Sequence, residues 1–200
     1  MKITRLDVPQ CSVGEGPVWD VATQTLFWID ILEKAVHRLD PASGETRRWS
    51  VPNIIGSMAI RRNGNAIVAL ANGVHTLDLA TGECRMLATS PDLDAQVQLA
   101  DGKVDRRGRF IVGSSDRGMK EARGKLYALD PGATSLRVID TDIFLSNGPC
   151  WSPDDRTFYH ADSIRKIIYA YDYDIDQGTL GNRRPFASTA DLGGIPDGAT

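Results

Sequence analysis

The sequence is poor in cysteine, in long apolar runs and in clustered positive charge, and each shortage excludes a class of protein. Its 3 cysteines, Cys11, Cys84 and Cys150, are scattered and odd in number, which indicates reduced thiols rather than a disulfide framework. No run of about 18 apolar residues suggests a membrane span, and no charged start with an apolar core suggests a secretory leader. We therefore expect a cytoplasmic protein that does not bind a membrane.

Charge and histidine content narrow the possible functions further. The net charge is −3, from 23 basic and 26 acidic residues, and the basic residues form isolated pairs rather than a run, so we expect no nucleic-acid partner. The 3 histidines, His37, His75 and His160, lie in strand-like segments, and no GxSxG motif occurs. A serine-hydrolase triad with a covalent intermediate is therefore not expected.

The chain also lacks an amphipathic run long enough for a surface helix. Short β-branched and aromatic segments recur instead, TLFWID, AIVAL, RFIVG and TFYHAD, and turn sequences recur at a second place, DPASGE, DLATGE, DPGATS and DIDQGT. Each repeat is predicted to be four short strands joined by turns rich in Gly, Asp, Asn and Pro. This pattern predicts an all-β fold, and Trp49, in an outer strand, is expected to pack at the surface.

A glycine marks the start of every repeat. It occurs in GEGPVWD, IIGSMAI, LADGKVD, SNGPCWS and IPDGAT, at Gly16, Gly56, Gly102, Gly148 and Gly198, in steps of 40, 46, 46 and 50 residues. Such a period is typical of a radial repeat, and four-stranded repeats predict a β-propeller. We expect residues 1–200 to form a single propeller domain of about four blades plus the start of a fifth, with Met1–Val8 as the outer strand of a last blade. Because six such repeats need roughly 270 residues, the C-terminal blades are expected to be missing from this chain.

The residue before each glycine should lie near the propeller axis. These residues are Glu15, Ile55, Asp101, Asn147 and Asp197, and four of the five carry side-chain oxygens. Carboxylate and amide oxygens suit a hard divalent cation, so Glu15, Asn147 and Asp197 are candidate metal ligands. Asp and Asn before Gly are also common turn formers, and the spacing leaves open whether Asp101 is a ligand, a supporting carboxylate or a turn residue.

Together these motifs resemble the senescence marker protein, regucalcin and gluconolactonase family. GEGP, DGKVD, SNGP and PDG occur in this order, and the similarity extends from about Gly14 to Thr200. The resemblance implies a six-bladed propeller with one divalent cation, either calcium, magnesium, manganese or zinc, held by Glu15, Asn147 and Asp197. It also implies hydrolysis of a sugar lactone to the sugar acid, in which Asp197 is the general base for the attacking water and the cation stabilises the oxyanion.

One departure from the family pattern bears on the choice of substrate. An arginine, one further residue and an asparagine usually precede DGKVD in that family, and Gln98 and Ala100 occupy those positions here. Gln98, Ala100 and Asp101 are the predicted substrate-binding residues, joined by Arg117 in the polar loop SSDRGMKEARGK. Since Ala100 offers no side-chain hydrogen bond, the substrate differs from the usual aldonolactone, or turnover is impaired, or Ala100 is an engineered substitution.

Two alternatives to a sugar lactonase stay open. Alanine at position 100 is compatible with a propeller that binds a cation or a partner protein without catalysis. Related propellers with a similar cation site hydrolyse other esters, such as organophosphates. The first alternative predicts metal binding without lactone hydrolysis, and a panel of substrates separates the second.

Overall fold

Sixteen strands within residues 3–200, the part of the chain that the computed structural model describes, form four antiparallel sheets of four strands each. We call these sheets blades 1 to 4. The strands of the first two are β1 (Gly14–Asp20), β2 (Thr25–Asp30), β3 (Ala35–Leu39), β4 (Thr46–Ser50), β5 (Ile55–Ile60), β6 (Ala66–Leu70), β7 (Gly73–Leu77) and β8 (Cys84–Ala88). Those of the last two are β9 (Val97–Val104), β10 (Phe110–Asp116), β11 (Gly124–Leu129), β12 (Arg137–Ile143), β13 (Ser146–Trp151), β14 (Thr157–Asp162), β15 (Ile167–Asp174) and β16 (Thr179–Ser188).

Each blade is a meander in which strands that are neighbours in the sequence are also neighbours in the sheet. The first strand of each blade contacts the first strand of the next, so that β1 contacts β5, β5 contacts β9 and β9 contacts β13. These four are the inner strands. Sheets arranged radially through their inner strands are the blades of a β-propeller, and the all-β propeller predicted from the repeats is confirmed.

Three apolar cores lie between successive blades. Side chains alternate between the two faces of a strand, and both faces of the middle blades are buried. In β6, Val68 belongs to the core shared with blade 1 and Ala69 to the core shared with blade 3. In β10, Val112 faces blade 2 and Ile111 faces blade 4. Burial on two faces explains why the middle strands are continuously apolar in sequence.

The turns between the third and fourth strands have the local structure that their sequences predict. The Asp78 carbonyl accepts the Gly82 N–H at 2.8 Å, and the Asp174 carbonyl accepts the Gly178 N–H at 2.7 Å. Oδ1 of Asp78 also accepts the Thr81 N–H at 2.9 Å. Aspartate side chains that bond to the following backbone are common in tight turns. The third and fourth strands of blades 2 and 4 are therefore joined by turns of the same kind.

Several expectations differ from the structure. Trp49 is buried, with 5% of its surface exposed, because its ring stacks on Phe27 and its Nε1 donates to the Leu79 carbonyl of blade 2 at 3.1 Å. The surface position expected for Trp49 was therefore wrong. Residues 3–13 form no strand, although one was expected over Met1–Val8, and the first two residues lie outside the described part. Residues 193–200, the start of the fifth repeat, also form no strand. None of the helices within residues 3–200 is long and apolar enough to cross a membrane.

Candidate functional site

The inner strands open onto one cavity of about 770 Å³. Its wall contains the residue that precedes each repeat glycine, namely Glu15, Ile55, Asp101, Asn147 and Asp197. Since neighbouring members of this set are 40 to 50 positions apart in the sequence, the radial repeat is what brings them together. The cavity is therefore the place where the oxygen-bearing positions selected by the repeat can act jointly.

A β-bulge at the repeat glycine turns the inner strand toward this cavity. In β13 the register with β14 shifts just after Asn147, and β1 shifts in the same way just after Glu15. Gly148 has a φ of +57°, and a Cβ added there would lie 2.6 Å from the carbonyl oxygen of Asp197. Only glycine satisfies both the left-handed backbone and this close approach, which explains the glycine that follows Asn147.

Asn147 is held in place by a buried serine. Its Nδ2 donates to Ser163 Oγ at 2.8 Å, and Ser163 Oγ donates to the carbonyl of Pro196 at 2.6 Å. Because the amide nitrogen is engaged, the amide oxygen of Asn147 stays available to the cavity. The same two bonds fix the residue before Asp197, so two predicted ligands are positioned by one scaffold.

Asp101 connects blades 3 and 4 through its carboxylate. Its Oδ1 accepts the Gly102 N–H at 2.7 Å, and its Oδ2 accepts the Gly148 N–H at 2.9 Å. Burial raises the pKa of Asp101, and the nearby Asp197 carboxylate adds to this effect. These bonds orient the inner strands that carry the other site residues, so the carboxylate of Asp101 has a structural task in addition to lining the cavity.

The oxygen-bearing side chains match the chemistry of a hard divalent cation. Glu15 and Asp197 are exposed on the cavity wall, and Asn147 is half-buried between them in the repeat order. Two carboxylates and an amide oxygen are ligands that calcium, magnesium and manganese accept.

Gln98 and Ala100 lie on the same wall as Asp101. The Gln98 side chain is half-buried and forms no hydrogen bond with the described residues, which leaves its amide free for a ligand. Ala100 contributes its backbone, because Ser57 Oγ donates to the Ala100 carbonyl at 2.9 Å. An added Cβ at Gly56 would lie 2.6 Å from that carbonyl. The backbone of Ala100 is thus closely packed against Gly56 and Ser57, whereas the side-chain amide of Gln98 is free to contact a ligand.

One predicted site residue lies apart, and two residues that line or support the site were not predicted. Arg117 is exposed in the turn after β10 and is not part of the cavity wall. Lys103 lines the cavity, and its Nζ donates to the Ala199 carbonyl at 2.9 Å. Lys103 directly follows a repeat glycine, so its place in the cavity wall could have been predicted from the sequence. Ser163 only follows the end of a strand, and no sequence pattern indicates its role.

Several known proteins are similar to this chain over nearly its whole length. A 6-deoxy-6-sulfogluconolactonase of Pseudomonas putida is 36% identical over 189 residues, which cover 94% of this chain and 64% of that protein. The regucalcin of Xenopus laevis is 34% identical over 191 residues, with coverages of 93% and 64%. A solved structure of a calcium-binding regucalcin from Agrobacterium tumefaciens superposes with a TM-score of 0.89 at 27% identity, covering 96% of this chain and 65% of that one.

These relatives are longer than the chain, which spans about 64% of the length of the curated proteins it matches. The family model described as the SMP-30/gluconolactonase/LRE-like region matches residues 13–200, nearly the whole sequence. That range begins just before β1 and includes every inner-strand residue of the cavity. The chain therefore belongs to the SMP-30/gluconolactonase/LRE-like family.

Proposed function

We propose that the protein hydrolyses a sugar lactone to the open-chain sugar acid with the help of a divalent cation. The observation that carries the proposal is that Glu15, Asn147 and Asp197, which come from three different repeats, line the same cavity. The name of the Pseudomonas putida relative, a sulfogluconolactonase, supports a lactone of the gluconolactone type as the substrate class. A cavity of about 770 Å³ is large enough for a ligand of this size.

Glu15, Asn147 and Asp197 are the proposed ligands of the cation, which is calcium, magnesium, manganese or zinc. When bound, such an ion supplies a Lewis acid that polarises the lactone carbonyl and stabilises developing negative charge. The two carboxylates match the double positive charge of the ion. Ser163 fixes the amide of Asn147 by its 2.8 Å bond, so this ligand is preorganised before the substrate enters.

The protein side chains supply proton transfer and orientation. Asp197 is exposed to the solvent in the cavity, where its carboxylate takes the proton of the attacking water as a general base. The free amide of Gln98 binds a hydroxyl group of the sugar. Asp101 holds the inner strands of blades 3 and 4 together through Gly102 and Gly148, so it positions the ligands rather than reacting.

The first experiment is proton release from a panel of five- and six-membered sugar lactones, with and without a chelator. We expect release that a chelator abolishes and a divalent cation restores. Glu15→Gln and Asp197→Asn should each lower kcat/KM by at least about a hundredfold, as removal of a general base or a charged ligand does. Asp191→Asn, which changes another exposed aspartate of the same segment, is the matched control and should keep full activity.

The main alternative is a propeller that binds a cation without catalysis. It is supported by the relative from Agrobacterium tumefaciens, which is described as a calcium-binding protein, and by Ala100 in the cavity wall. In that case calorimetry detects cation binding that Glu15→Gln weakens, while no lactone is hydrolysed above the spontaneous rate. Wild-type turnover in the Asp197→Asn variant contradicts the proposed mechanism in either case.

A further inference from the structure

We propose that Cys11, Asp30 and His37 form a second metal site, separate from the oxygen ligands of the cavity, that takes Zn²⁺. One ligand atom from each of the three side chains lies within 4.8 Å of the other two, and this is the one such group of acidic, histidine or cysteine residues among residues 3–200. Tetrahedral zinc holds sulfur and nitrogen ligands about 3.5 Å apart. Small side-chain movements therefore suffice to close the site around an ion.

Two of the three ligands lie on strands of blade 1, and Cys11 lies in the segment before β1. Asp30 ends β2 and His37 lies on β3, where it pairs in register with Trp28. The Trp28 ring stacks on the imidazole of His37 with centroids 5.2 Å apart, and its Nε1 donates to Cys11 Sγ at 3.2 Å. Trp28 thus positions both the sulfur and the imidazole, which is the task of supporting residues around a metal site.

Asp30 is a buried carboxylate without a positively charged partner among the described residues. It is 1% exposed, and it accepts backbone N–H groups of Ser12 at 2.7 Å, Val13 at 3.2 Å and Glu33 at 3.2 Å. The Cys11 thiol is a further group at this carboxylate, so a cation that displaces the thiol proton would contact both side chains.

The equivalent aspartate of blade 4 shows what Asp30 lacks. Asp162 also ends the second strand of its blade and also accepts backbone N–H groups, from Phe144 and Leu145. Its charge is balanced by Arg165, whose NH1 lies 3.1 Å from the carboxylate. In blade 1 the position that matches Arg165 is Glu33, so no arginine balances the charge of Asp30. A bound cation would balance it.

His37 is a buried imidazole with no hydrogen-bond partner among the described residues. It is 5% exposed. A neutral imidazole nitrogen is a common zinc ligand. His75 occupies the same position of the third strand in blade 2, but its Nδ1 lies 3.1 Å from the Gly73 carbonyl. His37 has no such contact, so its ring nitrogens are available to a metal.

The donor set distinguishes this site from the cavity. A thiolate and an imidazole select a borderline-soft ion such as zinc, whereas carboxylate and amide oxygens select harder ions. Cys11 is half-buried, so an ion can reach the sulfur from the solvent and displace its proton. Three protein ligands leave a fourth tetrahedral position for a water molecule.

The test uses Co²⁺ as a spectroscopic substitute for zinc, with the oxygen ligands of the cavity saturated by Ca²⁺. We expect one equivalent of Co²⁺ to give a thiolate-to-cobalt charge-transfer band that Zn²⁺ removes by competition. Cys11→Ser should abolish the band, and His37→Gln should weaken Co²⁺ binding by at least about tenfold, since even supporting residues are worth about 10- to 100-fold. Cys84→Ser and His75→Gln are matched controls and should leave the titration unchanged.

A second measurement keeps the test decisive if a variant does not fold. Zn²⁺ should slow alkylation of Cys11 in the wild-type protein at least about tenfold, while Cys84 and Cys150 in the same sample serve as internal controls. The proposal is overturned if no thiolate band forms, if the band persists in Cys11→Ser, or if zinc leaves the alkylation of Cys11 unchanged. None of these readouts depends on lactone hydrolysis, so the outcome is independent of the proposed function.

Discussion

Two residues of the cavity wall, Gln98 and Ala100, differ in what they offer a ligand. Ala100 presents only a methyl group and its backbone, and the carbonyl is already bound to Ser57. Gln98 is the side chain on this wall with an uncommitted amide. A site that recognises hydroxyl groups loses discrimination when a polar side chain is absent. We therefore expect the recognition of substrate on this wall to depend on Gln98.

If recognition depends on Gln98, its removal should change KM rather than kcat. Gln98→Ala should raise KM for the best lactone about fivefold with little change in kcat, because a neutral hydrogen bond contributes about 0.5–1.5 kcal/mol. Gln96→Ala is the matched control, since Gln96 is exposed and its backbone carbonyl, which accepts the Arg117 N–H at 2.8 Å, is kept. Steady-state kinetics on both variants checks the prediction. A loss of kcat with unchanged KM would instead assign Gln98 to the reaction itself.

At the scale of the strand, the bulge at the repeat glycine determines the geometry of the site. It directs Asn147 into the cavity and brings the backbone of Gly148 against the carbonyl of Asp197. The glycine pattern and the position of the residue before it could be read from the sequence, because both follow from the repeat. The bulge itself could not, because it depends on how closely two inner strands approach.

The bulge makes a prediction about stability. Gly148→Ala places a side chain at a φ of +57° and 2.6 Å from the Asp197 carbonyl, so it should lower the free energy of unfolding by at least about 2 kcal/mol. Gly181→Ala, in the exposed strand β16 with no atom near its Cβ position, should be neutral or stabilising by about 0.5 kcal/mol. Urea denaturation of both variants measures the difference. Equal stabilities would show that the close approach does not constrain the inner strand.

The sequence predicted the order of strands and blades better than their packing. Short β-branched and aromatic segments separated by turns rich in Gly, Asp, Asn and Pro indicate a meander, because both are local properties of the chain. The burial of Trp49 depends on the carbonyl of Leu79 in the next blade. The sequence around Trp49 does not indicate such a contact between blades. The cluster of Cys11, Asp30 and His37 is invisible for the same reason, since its members are joined only when β2, β3 and the segment before β1 pack together.

Across the whole molecule, the three histidines, His37, His75 and His160, are buried. Burial lowers the pKa of His37 and His75. Burial and the nearby Arg183 lower the pKa of His160 to about 3, and the ring is fully buried beside Phe158. In the unfolded chain a histidine has a pKa of about 6.5. Native and unfolded states therefore differ in bound protons over the mildly acidic range.

This difference predicts how stability depends on pH. Above about pH 6.5 His160 is neutral in both states, whereas below that value only the unfolded chain takes up the proton, so the free energy of unfolding falls as the pH decreases. By about pH 5 the loss due to His160 should reach about 2 kcal/mol. His160→Gln, which can keep a bond to Ser146, should remove that share of the pH dependence, while Phe158→Leu should lower stability equally at both pH values. Denaturant titrations at about pH 7.5 and 5 measure this, and an equal fall in wild type and His160→Gln would show that His160 is protonated in the native state.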